Sequence, residues 1–61
     1  MPLFIMATIQ INSKDSIKIE QVGNIYVVNV YHGDGNSFEY GRYINYDLAM
    51  HIAVELFNRI I

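Results

Sequence analysis

Cysteine and tryptophan are absent from the 61 residues, proline occurs once, and only four side chains are basic. Without cysteine the chain can form neither a disulfide nor a thiolate metal site, and its stability must come from elsewhere. Net charge is −2, and Lys14, Lys18, Arg42 and Arg59 are scattered along the chain. No basic stripe exists to neutralise nucleic-acid phosphates. Long apolar runs are missing too. A membrane span needs roughly 20 apolar residues, and the apolar opening Met1–Met6 soon meets Thr8, Gln10 and Asn12. That opening has no basic residue ahead of it and so does not read as a signal peptide. A cytoplasmic protein is expected, with no membrane partner and with nucleic acid disfavoured.

What is present is apolar: 52% of the residues are hydrophobic and only 16% charged. That excludes a disordered tail, and the length excludes a multidomain enzyme. A single domain over 1–61 is predicted. A chain this short buries only about 60% of the surface its unfolded form exposes, which leaves stability marginal. Disulfides, metals and oligomerisation are the usual supports. With cysteine missing and only His32 and His51 available, oligomerisation is the one left, and a homodimer is expected.

Leu3 to Ile11 alternates, with Leu3, Ile5, Ala7, Ile9 and Ile11 on one face and Phe4, Met6, Thr8 and Gln10 on the other; this reads as a strand. Asn12-Ser13-Lys14-Asp15 supplies turn chemistry. Ser16 to Val22 continues as a strand, Ile17 and Ile19 inward, Lys18 and Glu20 outward, a polar row that suits an edge. Gly23-Asn24 is a two-residue hairpin turn. Ile25 to Tyr31 is apolar on both faces, the mark of a strand covered on both. After a second turn, Gly33-Asp34-Gly35-Asn36, a last strand runs from Ser37 to Tyr40 or slightly beyond, with Phe38 and Tyr40 on one side and Gly41 ending it.

Asn45 or Asp47 can then cap a helix or supply its first-turn anion. From Tyr46 to about Ile60 the apolar positions Leu48, Ala49, Ile52, Ala53, Leu56, Phe57 and Ile60 follow the i, i+3, i+4 pattern. The whole reads as an α+β domain: an antiparallel three- to four-stranded β-meander, then one C-terminal amphipathic helix packed on one sheet face.

The apolar face of that helix is too wide for its task. Met50, Val54 and Ile61 extend it to about two-thirds of the circumference at 100° per residue, whereas a helix on a sheet needs a stripe of roughly 100° or somewhat more. Only a column of Asp47, His51, Glu55 and Arg59 stays polar, with Asp47–His51 and Glu55–Arg59 able to pair. The excess points to a partner. Met50, Val54 and Ile61 on the helix, and Phe4 and Met6 on the first strand, are the expected dimer or partner interface.

No residue cluster carries chemistry. His51 and Glu55 have metal-compatible spacing but no third ligand nearby. Gly33-Asp34-Gly35-Asn36 leads into a strand, whereas a phosphate loop leads into a helix. Ser13, Ser16 and Ser37 have no adjacent base, and no nucleophile elbow exists. Neither catalysis nor a cofactor is expected. Tyr40, Arg42, Tyr43 and Tyr46 combine large contact area with polar handles, the composition of binding hot spots; they are the candidate target-binding residues, or else complete the core.

The order of four strands and a helix, with Tyr46-Asp47-Leu48-Ala49 opening an alanine-containing helix after a glycine-rich hairpin, resembles two groups over about residues 16–61. One is the antitoxin modules of partial RNase-H type. The other is the small phage-encoded inhibitors of host defence, including anti-CRISPR proteins. The second resemblance implies a non-enzymatic inhibitor or adaptor, encoded by a phage or mobile element, which occludes a host protein in the host cytoplasm. The first implies a small nucleic-acid-binding transcriptional regulator or antitoxin. No functional residue carries over from either.

Overall fold

A computed structural model describes residues 3–61. Four strands, β1 (Leu3–Gln10), β2 (Ser16–Val22), β3 (Ile25–Tyr31) and β4 (Ser37–Tyr43), precede one helix, α1 (Tyr46–Ile60). The strands form one antiparallel sheet in chain order, β1-β2-β3-β4, so the expected meander with its C-terminal helix is the fold. No helix among the described residues is long and apolar enough to cross a membrane.

Each turn follows from its residues. Asn12 accepts from the N–H groups of Lys14 (2.7 Å) and Asp15 (2.8 Å) through Oδ1, an Asx turn that reverses the chain. Gly23 alone takes positive φ in the β2–β3 hairpin, at 61°, as a type II′ turn requires of its first central residue. In the β3–β4 loop His32 donates to the Asn36 carbonyl and accepts from Gly35 N–H, with Gly35 at φ 94°. Asn45 is the helix N-cap, accepting from Leu48 N–H at 3.2 Å.

Core and helix agree in register. Ile17 and Ile19 of β2 stand opposite Val30 and Val28 of β3, and with Ala49 and Ala53 they form the buried cluster. The two alanines let the helix approach the sheet closely; Tyr46, Met50, Leu56 and Phe57 flank them, half-buried. That stripe spans about 120° at 100° per residue. Met50, expected at an interface, belongs to it, whereas Val54 and Ile61 are exposed. Glu55 meets His51 (Nε2 to Oε1, 2.8 Å) rather than Arg59.

Three expectations about the strands are corrected. The polar row of Lys18 and Glu20 does not mark an edge, because β2 lies between β1 and β3. Gly41 does not end β4, which runs on to Tyr43; the glycine stands where a Cβ would collide with the Tyr43 ring folded over it. Alternation along β1 and β4 is also broken. β1 slips register at Met6, between the Ile5↔Glu20 and Ala7↔Ile19 pairs. Leu3 and Ile5 therefore fall on the face away from the helix, and Phe4 joins Ala7 and Ile9 on the helix side. β4 slips at Tyr40, between Gly41↔Val28 and Glu39↔Asn29. Phe38, opposite Val30, and Gly41, opposite Val28, therefore share the helix side, and Tyr40, the expected companion of Phe38, is left at the slip without a cross-strand partner. A bulge adds one residue and reverses the facing of everything beyond it.

Candidate interaction surface

Among the described residues, no second layer of secondary structure lies on the face away from the helix. Strand register lays it out in four cross-strand rows: Leu3–Val22–Ile25, Ile5–Glu20–Val27–Arg42, Thr8–Lys18–Asn29–Glu39, and Gln10–Ser16–Tyr31–Ser37. One end is apolar and the centre holds two charges of each sign. Within this open face Glu20 is only 3% exposed. Its Oε1 accepts from Asn29 Nδ2 at 2.7 Å and from the Tyr31 hydroxyl. That bond to a carboxylate, reinforced by burial, pushes the Tyr31 hydroxyl up to about 12. Lys18 Nζ lies 4.9 Å from the centre of the Tyr31 ring, a cation–π distance. The cluster anchors the side chains of β2 to those of β3. Sequence alternation put Glu20 outward in solvent; only the register, which brings Asn29 and Tyr31 beside it, reveals its burial.

At one end of the sheet the β1–β2 and β3–β4 loops are tied together. Asp15 Oδ1 accepts from Gly33 N–H at 3.0 Å and lies 3.5 Å from His32 Nδ1, while Oδ2 accepts from Asn12 Nδ2 at 2.9 Å. The Asn12 and Gly33 hydrogen bonds hold the Asp15 carboxyl below its ordinary value. Lys14, Asp15, His32, Gly33 and Asp34 line a cleft of about 440 Å³. Its Asp15 carboxylate is already spent on the protein's own donors, which makes the cleft a loop clamp. No group of three or more His, Cys, Asp or Glu residues placed to share a metal ion occurs among the described residues.

The four residues expected to bind a target divide. Tyr43 and Tyr46 pack against the core, Tyr46 edge-on to Tyr26 with ring centres 5.6 Å apart. Tyr40 and Arg42 stay exposed on β4, Arg42 donating from Nε to Glu39 Oε2 at 2.9 Å. Phe38, half exposed, lies at the other end of β4 with its ring 6.0 Å from that of His32, and Ile44, just past the strand, is 85% exposed. Ile44 went unnoticed in the sequence. It precedes the N-cap, where an apolar residue usually packs on the fourth helical position. That position is Ala49, fully buried under the helix, so Ile44 is left in solvent. Comparisons with protein families, curated proteins and solved structures give no match to this chain.

Proposed function

We propose that this protein is a non-enzymatic binding module, an inhibitor or adaptor that occludes a protein target through Tyr40, Arg42 and Ile44. Ile44 carries the reading. A large aliphatic side chain held almost wholly in water, beside an exposed tyrosine and an arginine, has the make-up of a binding hot spot. The total surface adds support: 4064 Å² is close to the roughly 4,100 Å² expected of a compact 7.1 kDa monomer. The chain is as compact as folded monomers of its size, so the apolar groups still outside do not reflect loose packing. Such a module acts in the cytoplasm, the host's if a phage or mobile element encodes it, in the manner of small inhibitors of host defence. The basic groups Lys18 and Arg42 are engaged by Tyr31 and Glu39, which disfavours a nucleic-acid regulator.

The test is affinity capture from host lysate with wild type, Ile44→Asp and a Tyr40→Ala/Arg42→Ala double variant. A protein retained by wild type and reduced at least about tenfold by either variant, the loss of roughly 1.4 kcal/mol, supports the reading. Capture indifferent to both variants, or capture of nucleic acid that weakens steeply with salt, overturns it.

A further inference from the structure

We propose that a second copy of this chain pairs with the outer edge of β1, joining two four-stranded sheets antiparallel into one of eight strands. This specifies the self-association expected from the sequence and does not depend on the β4 target surface. β1 is an edge strand, so alternate residues turn their N–H and C=O groups outward, a template for another strand. It has no charged residue in any of its eight positions, and charged side chains are one device by which edges are blunted. Leu3, Phe4 and Ile5 are more than half exposed and Met6 nearly so. The slip at Met6 sends Leu3 and Ile5 to the open face and Phe4 to the helix face, so apolar groups rim this edge on both sides. Val22 and Ile25 continue the rim along the first row of the open face. The helix lies mainly over β2 and β3 and reaches β1 least.

The occupant follows from charge and symmetry. A strand that offers no charge is matched by one that offers none, and among the described residues β1 is the one edge strand without a charged side chain. β3 has none either, yet it is paired on both sides. β4, the other edge, carries Glu39, Arg42 and a glycine. Pairing β1 with β4 of the next copy would give a head-to-tail ring or an open array, whereas β1 with β1 closes on a two-fold axis in a single step. The helix is the weaker surface for a dimer. Its exposed Leu48 and Val54 lie about 120° apart at 100° per residue, with Asp47, His51 and Glu55 between them. A standard interface takes roughly 800 Å² from each partner, about a fifth of the 4064 Å² surface; a full-length edge contact involves both side-chain layers of β1 as well as its backbone.

The experiment uses the full chain in two arms. In the first, mass by light scattering is followed against concentration for wild type, Thr8→Lys and Val54→Asp, with circular dichroism to confirm that each stays folded. The expected result is twice the 7.1 kDa chain mass for wild type and Val54→Asp. Thr8→Lys puts a lysine on the pairing edge of each copy, the charged device that blunts edge strands, and weakens association by at least about tenfold. In the second arm, the absence of cysteine makes any introduced one an unambiguous reporter. Ile5→Cys, Thr8→Cys and Gln10→Cys lie along the open face of β1, and the member nearest the axis oxidises to a disulfide-linked dimer, while Val54→Cys does not. A wild type that stays monomeric up to millimolar concentration overturns the proposal, as does dimerisation lost in Val54→Asp but kept in Thr8→Lys. Either result leaves the capture experiment on β4 untouched, so the two readings fail separately.

Discussion

Glu20 is buried in the sheet face turned away from the helix, and it survives there because Asn29 and Tyr31 both donate to it. Replacing it with alanine leaves the Asn29 amide without its partner, and a loss of about 1–3 kcal/mol in urea unfolding is expected. Tyr31 reports the same contact spectroscopically. With its pKa raised to about 12 in the folded state, the hydroxyl contributes stability in full below its ordinary value of 10.0 and loses it as pH climbs toward 12. Absorbance titration of the tyrosinates should show one ionising near 12, and Glu20→Gln should bring that one down toward 10. Asp15 works at the other end of the scale. Its pKa is lowered from the ordinary 3.8 by Asn12 and the Gly33 N–H, so its contribution is present above that value and disappears as pH falls below it. Acid unfolding should therefore be shallower in Asp15→Asn than in wild type below about pH 4, measured by circular dichroism.

Among the elements, the helix was the most legible in the sequence, since its apolar period and Asn45 cap are local features. Asn45→Ala should cost about 1 kcal/mol, read as a fall in thermal midpoint. Which part of its apolar arc is buried was less legible: Met50 reads as surplus until Ala49 and Ala53 are seen to set the line of contact. The strands were legible in place and order, and illegible in facing. Alternation assumes a fixed period of two, and a bulge at Met6 or Tyr40 leaves no compositional trace while reversing the outcome for Leu3, Phe4 and Ile5. Gly41 misleads for a related reason. A glycine in a strand reads as a stop, yet here it makes room for the Tyr43 ring. Gly41→Val should destabilise by about 1–3 kcal/mol through overpacking, and less so in a Tyr43→Ala background, a coupling that a double-mutant cycle measures.

At the scale of the molecule, the four residues read from the sequence as target-binding part company. Tyr40 and Arg42 face water as a binding pair must, while Tyr43 and Tyr46 are consumed by the core. Their residue types could not separate these fates, because tyrosine serves a core rim and an interface equally well. Ile44 was invisible for a different reason: its exposure depends on Ala49 being covered, a tertiary fact. Sheet order has a last consequence. Because the strands lie side by side in chain order, β1 and β4 occupy opposite margins. Two copies joined at β1 would carry their Tyr40–Ile44 patches at the far ends of one continuous ribbon. Such a particle is bivalent. On a target that is itself repeated or clustered, the second engagement becomes intramolecular, and avidity can exceed the single-site affinity by roughly 10²–10⁴-fold.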